Sequence, residues 1–166
     1  EQLTKRRPRD ITMKVAVGET EGALTMNFLT NPGLSTLDDS IAQQHQSAGW
    51  GVTREQVQVK PLARLWHDHV PVGQEVHFLK VDVEGFEESA LKSNDWSRYR
   101  PWVVVVEATL PMSQVESHHA WEPILLDAGY RLAYADGLNR FYVADEHVEL
   151  LPALRYPPNV FDGFLL

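Results

Sequence analysis

The sequence has no cysteine among its 166 residues. That removes disulfides and thiolate metal centres and demands no oxidising compartment. No apolar stretch approaches the roughly 20 residues that span a bilayer. The opening EQLTKRRPRD is basic with no apolar core behind it, so neither a membrane anchor nor a secretory leader is expected. These absences point to a cytoplasmic protein with no membrane partner. Positive charge is in deficit too, with 15 basic against 23 acidic residues and a formal charge of −8. Such a surface repels phosphate backbones and makes nucleic acid a poor main partner. The exception, Lys5, Arg6, Arg7 and Arg9, reads as a solvated helix end. There is no internal repeat, low-complexity tract or linker. What remains is a single domain, residues 1–166, of ordinary composition, 43% hydrophobic and 23% charged, long enough to bury a core.

The apolar pattern alternates strands and helices. Ile11–Val17 reads as a strand ending at Gly18, and Ala23–Leu29 as another that pairs with a neighbour as a hairpin. Thr36 with Asp39 three residues later suits a helix cap, and Gly49 closes that helix. Gln56–Val59 reads as a strand, and Pro61 opens a short helix with Leu62, Leu65 and Trp66 on one face. Val76–Val81 is a strand running into Asp82-Val83-Glu84-Gly85, with Glu84–Lys92 as a crossover helix. The run Trp102–Val106 within Pro101–Val106 is what a strand buried on both faces looks like, and it ends in Glu107. Ser113 and Glu116 suit a capping box before a helix facing inward through Trp121, Leu125 and Ala128 and ending at Gly129. Tyr130–Ala135 and Arg140–Ala144, joined by Asp136-Gly137-Leu138-Asn139, predict an antiparallel hairpin. The order β-α-β-α-β-β is that of an α/β domain.

The segments from Phe78 to Glu87 and from Arg100 to Thr109 resemble the hallmark strand-to-helix segment and the next strand of FkbM-type methyltransferases. Trp121–Leu126 and Asp136–Ala144 are similar to that family's last helix and hairpin, while Arg7–Asp10, Val15–Gly18 and Gly33–Leu37 fit upstream. The resemblance runs from about residue 7 to 162. It implies a Rossmann-like class I methyltransferase fold ending in an antiparallel hairpin, with S-adenosylmethionine as cofactor. It also implies a small-molecule acceptor, a hydroxyl of a sugar or secondary metabolite. The family's first two strands and its glycine-rich cofactor turn are missing. Gly49 and Gly51 have the G-x-G spacing, but Arg54 stands where the third glycine belongs, and Asp127-Ala128-Gly129 ends a helix. The expected domain is therefore partial, with an incomplete cofactor site. The missing strands would lie between the strand ending at Gly18 and the one ending at Asp82. Their absence would leave two open edges for an upstream segment or a second copy of the chain to cover. The alternative function is a non-catalytic or partner-dependent fragment that binds no cofactor alone.

Open α/β sheets place ligands at the carboxyl ends of their parallel strands. Methyl transfer to oxygen there needs alignment and often a proton acceptor. Asp82 and Glu84 stand at one such end and Glu107 at the next. Glu84 could instead cap the following helix, and Glu107 could be a buried acid paired with an arginine such as Arg140. His118 could serve as a base near neutral pH, whereas His119 reads as exposed. By the resemblance, Asp82 faces the cofactor's methionine portion or the acceptor, and Val17 and Gly18 lie beside its adenine. A plain turn glycine explains Gly18 equally well. Ser35 and Thr36 could bind a hydroxyl or cap a helix. His67-Asp68-His69 lacks a third placed ligand, so no metal is expected. The aromatic stretch Tyr156–Phe161 suits packing on the body, a lid or a dimer contact.

Overall fold

Residues 2–30, 35–36, 39–111 and 113–157 are described by a computed structural model. They fall into two compact units, Glu1–Gln74 with Glu84–Asp95, and Glu75–Val83 with Trp96–Leu166. A chain that reads as one domain thus crosses between units three times, at 74/75, 83/84 and 95/96.

The first unit contains α1 (Gln2–Arg6), β1 (Ala16–Val17), β2 (Gly22–Leu29), α2 (Asp39–Ser47), β3 (Val52–Lys60), α3 (Leu62–His69) and α4 (Glu87–Lys92). Its sheet has the order β1-β3-β2. β1 runs parallel to β3 from Ala16 opposite Val59, and β2 runs antiparallel to β3 from Gly22 opposite Val59 to Leu29 opposite Val52. The strand expected over Ile11–Val17 shrinks to two residues. Ile11 and Met13 are exposed, so their alternation has nothing to pack against. β2 forms as expected, but its partner is β3, beyond α2, and not the preceding strand. β3 is longer than Gln56–Val59 because Thr53, Arg54 and Glu55 join the main-chain ladder with side chains outward; only Val57 and Val59 are buried. Asn27 is fully buried in this unit, donating to Asp39 Oδ1 at 3.0 Å and accepting from Arg54 Nε at 3.1 Å. That satisfies a polar group that would otherwise be costly.

The crossover helix expected from Glu84 begins only at Glu87, after Phe86. Glu84 has φ +53° and Gly85 φ +97°, and two successive left-handed residues cannot lie in a right-handed helix. Glu84 therefore does not occupy the capping position.

The second unit contains β4 (Phe78–Val81), β5 (Val103–Glu107), α5 (Glu122–Asp127), β6 (Tyr130–Ala135) and β7 (Asn139–Ala144). The sheet order is β4-β5-β7-β6. β4 and β5 are parallel, with Val81 opposite Val106; β7 is antiparallel to β5 and forms the expected hairpin with β6. Val104, Val106, Trp121, Leu125, Tyr142 and Val143 form the core. Val103 and Val105 are only half-buried, so the valine run is fully covered on one face and partly on the other. The expected capping box does not form. Glu116 bridges Thr109 in an antiparallel pair, Ser113 Oγ donates to the Leu110 carbonyl, and α5 starts after a 3-10 turn at His118–Ala120.

The α/β composition holds, but as two mixed sheets in place of one parallel sheet. β1 and β4, the strands expected to flank the missing pair, are each the edge of their own sheet. Among the described residues no helix is long and apolar enough to cross a membrane.

Candidate functional site

In the second unit the parallel register of β4 and β5 brings two sequence-predicted acids together. Asp82 follows Val81 and Glu107 follows Val106 across the ladder, and a carboxylate oxygen of each lies within 4.8 Å of the other. Glu107 is buried and Asp82 partly exposed. Lys80 Nζ donates to Asp82 Oδ2 at 2.6 Å and to Asn139 Oδ1 at 3.3 Å. Asn139 stands opposite Glu107 in the next ladder. Its position is fixed by the hairpin turn, where Asp136 Oδ1 accepts from the Leu138 and Asn139 amides at 2.9 and 2.6 Å. Burial works against the Asp136 carboxylate, yet the main-chain hydrogen bonds from Asn139 and Leu138 hold its pKa below the usual value.

His118 is buried behind this edge, in a network that sequence reasoning missed. Arg140 Nη1 lies 3.5 Å from His118 Nδ1, Arg140 Nη2 3.1 Å from Glu122 Oε1, and Arg140 Nε donates to the Tyr142 hydroxyl at 3.1 Å. That hydroxyl donates in turn to Glu122 Oε1 at 2.7 Å. His118 Nε2 is 3.7 Å from Glu122 Oε2. Burial first, then the positive charge of Arg140 and the neighbouring His119, holds the His118 pKa below the ordinary imidazole value, against Glu122 and Glu116. Arg140, the arginine named as a partner for Glu107, pairs with Glu122. A recess of about 30 Å³, room for roughly one water, opens beside Thr109, Glu116, Asn139 and Arg140.

The first unit holds the remaining predicted residues. Val17 pairs with Lys60 and the Gly18 amide donates to the Lys60 carbonyl at 3.3 Å, so Gly18 does end β1. It forms part of the wall of an open recess of about 380 Å³ that also involves Glu19, Glu21, Leu24, Phe86 and Ser89. A Cβ on Gly18 would meet Val59 Cγ1 at 3.2 Å, Ser89 Oγ at 3.4 Å and Phe86 Cε1 at 3.9 Å. Space, more than backbone freedom, explains this glycine. Glu84 is the only non-glycine with positive φ among the described residues, and its carbonyl accepts from Thr36 Oγ1 at 2.8 Å. Such backbone strain of about 1–3 kcal/mol is a recurrent feature of functional sites. Ser35 Oγ accepts from the Leu29 amide at 3.3 Å; both hydroxyls are thus engaged with the main chain. Gly33, Leu34 and Leu37 lie outside the described residues.

A family model described as the methyltransferase FkbM domain matches residues 2–132. The chain belongs to the FkbM methyltransferase family. No curated protein and no solved structure matches it. Asp82, Glu84, Glu107, His118, Val17 and Gly18 all lie within the matched span of this FkbM domain. Asn139, Arg140 and Tyr142 lie past its end, and their place beside Glu107 and His118 comes from the ladder between β5 and β7. The near-match to a dinucleotide fingerprint has no such setting. Gly49 follows α2 and Gly51 precedes β3, a helix-to-strand connection of the opposite polarity. The His67-Asp68-His69 stretch ends α3, where Asp68 pairs with Arg64 at 3.0 Å. Among the described residues neither histidine joins a group of three ligand atoms within 4.8 Å. Of the aromatic tail, Tyr156 is exposed and residues 158–161 lie outside the described residues.

Proposed function

We propose that this FkbM domain is an S-adenosylmethionine-dependent O-methyltransferase acting on a hydroxyl of a sugar or related metabolite. The observation that carries the proposal is the family membership together with the recess at the end of β1. The recess has the volume of a small-molecule site. It offers the Phe86 ring for an adenine, close backbone approach at Gly18, and the carboxylates of Glu19 and Glu21 for ribose hydroxyls. When bound, S-adenosylmethionine supplies an electrophilic methyl group on a sulfonium.

The acid pair belongs to the second unit, taken by itself. Asp82 is the more exposed of the two and accepts the proton of the acceptor hydroxyl, while Lys80 holds its carboxylate in place. Glu107, buried beside it, orients the acceptor by hydrogen bonding. His118 lies deeper, its Nδ1 turned toward Arg140, and serves as a candidate only for relaying that proton. A second reading is favoured by one observation. Among the described residues β1 and β4 are each the edge of their own sheet, and on this reading a further segment or a second copy of the chain pairs with an open edge before the donor binds.

Calorimetric titration with S-adenosylmethionine, with molecular mass measured in the same buffer, separates the two readings. Micromolar binding by the monomer supports the first. No binding, with self-association, supports the partner-dependent one. Neither binding nor association in the chain, and none after restoring additional strands, overturns the cofactor assignment. Where transfer is measurable, Asp82→Asn should lower kcat by roughly 10²–10⁴-fold with KM for the donor little changed.

A further inference from the structure

The loop between β5 and α5 folds back on itself. The Ser117 amide donates to the Ala108 carbonyl at 2.8 Å, and Thr109 and Glu116 pair as an isolated bridge. This brings three side chains together that the methyl-transfer reading does not use as a group. Glu116 Oε2 lies 3.9 Å from His118 Nδ1 and 3.9 Å from His119 Nε2. One ligand atom from each of the three residues falls within 4.8 Å of the others, and the two imidazole rings are 4.0 Å apart between centroids.

We propose that Glu116, His118 and His119 form a binding site for a divalent transition-metal ion of the zinc class. Two imidazoles and one carboxylate suit zinc, cobalt or nickel better than magnesium or calcium, which prefer all-oxygen sets. Bonds of 2.0–2.2 Å in a tetrahedron place ligand atoms about 3.4 Å apart. The set is therefore slightly open, and closing it needs only small rotations of the exposed Glu116 and His119 side chains about the buried His118.

The surroundings supply the outer support that metal-binding histidines use. The second nitrogen of His118 faces Glu122 Oε2 at 3.7 Å, and Glu122 is itself held by the Tyr142 hydroxyl and Arg140. Arg140 also approaches His118 Nδ1, but at 3.5 Å, the longest of its contacts in this network, while its charge is balanced by Glu122 at 3.1 Å. Metal at Nδ1 displaces only that long contact. The three ligands leave open positions for water, and the bound ion would pin the loop to the carboxyl end of β5. The proposal does not depend on S-adenosylmethionine binding.

The test is titration of the metal-stripped chain with zinc in competition with a chromophoric chelator, repeated with cobalt, whose visible absorption reports imidazole coordination. One equivalent should bind, and zinc should raise the melting temperature. His119→Ala and Glu116→Gln alter exposed side chains and should each weaken affinity at least tenfold, with metal-free melting unchanged. His67→Ala with His69→Ala should leave affinity as it was. Absence of uptake, wild-type affinity in both loop variants, or loss of binding in the α3 variant would each overturn the proposal.

Discussion

Arg100 offers the sharpest test of how the second unit is held together, because one side chain ties three segments. Its Nε and Nη2 donate to the two carboxylate oxygens of Glu146 at 2.6 and 2.8 Å, and its Nη1 donates to the carbonyls of Trp96 and Ala128 at 3.0 and 2.6 Å. The guanidinium also lies 4.9 Å from the Tyr130 ring centroid. Arg100→Lys keeps the charge but loses the planar fork, and an ammonium can hold at most part of this set. Glu146 is about half exposed, so its ion pair is screened and contributes under about 1 kcal/mol. The carbonyl bonds, partly buried and donated by a charged group, contribute more. The expected loss is about 2–3 kcal/mol, or a fall of roughly 4–12 °C in melting temperature. Urea unfolding at several pH values then separates the two parts. The hydrogen bond from Arg100 brings the Glu146 pKa down to about 2. A depressed carboxylate pKa adds stability that is fully present above the unfolded value near 4.5 and is lost as pH falls toward 2. The gap between wild type and variant should therefore narrow below pH 4.5 and still not close. A gap below about 0.5 kcal/mol, or one abolished by high salt at neutral pH, would refute the reasoning, since only a surface ion pair would then be involved.

Three further substitutions probe other links. Gly85→Ala should destabilise by about 1–3 kcal/mol, because φ is +97° and a Cβ would meet Ile41 Cδ1 at 2.7 Å; chemical denaturation checks it. Tyr142→Phe removes the phenol that bridges Arg140 and Glu122 in a fully buried position. It should cost about 1.5–3 kcal/mol, measured by the same method, with the hairpin retained in circular dichroism. Gly18→Val should crowd Val59, Phe86 and Ser89 around the recess, weakening S-adenosylmethionine binding at least tenfold in calorimetry and destabilising the fold by about 1–3 kcal/mol, measured by denaturation of the unliganded protein.

Much of the fold was legible where burial writes a strong pattern. The valine run of β5, the strand before Asp82, and the Asp-Gly turn between β6 and β7 all form where the residues indicate. Signals failed where the main chain, and not the side chains, decides. Thr53, Arg54 and Glu55 in β3 expose polar side chains and join the sheet only through their ladder to β2, which leaves no apolar alternation to read. Ser113 and Glu116 have the spacing of a capping box, but Glu116 gains a bridge to Thr109, a long-range pairing that local spacing cannot anticipate. The left-handed pair Glu84-Gly85 shortens α4 in the same way. Gly85 hints at it; Glu84 does not.

The candidate site divides along the same line. Asp82 and Glu107 could be found from strand ends alone, because acids that stop adjacent parallel strands must lie side by side once the register is set. The partners that give them character could not. Lys80 reaches Asn139 across 59 positions of sequence, and Arg140 meets Glu122 and His118 only because β7 runs antiparallel to β5. A carboxylate pair supported by one lysine on one side and backed by an arginine–glutamate–tyrosine network on the other is a property of the ladder between β5 and β7. The sharper consequence concerns Asn139. It accepts from Lys80 while its own amide is fixed by Asp136, so the hairpin turn positions the lysine that orients Asp82. Asp136→Ala, in the turn between Ala135 and Gly137 and outside the larger recess beside Gly18, should therefore lower kcat for methyl transfer about tenfold or more at nearly unchanged donor affinity. An unchanged kcat would show that the turn merely closes the hairpin and that Lys80 holds Asp82 without it.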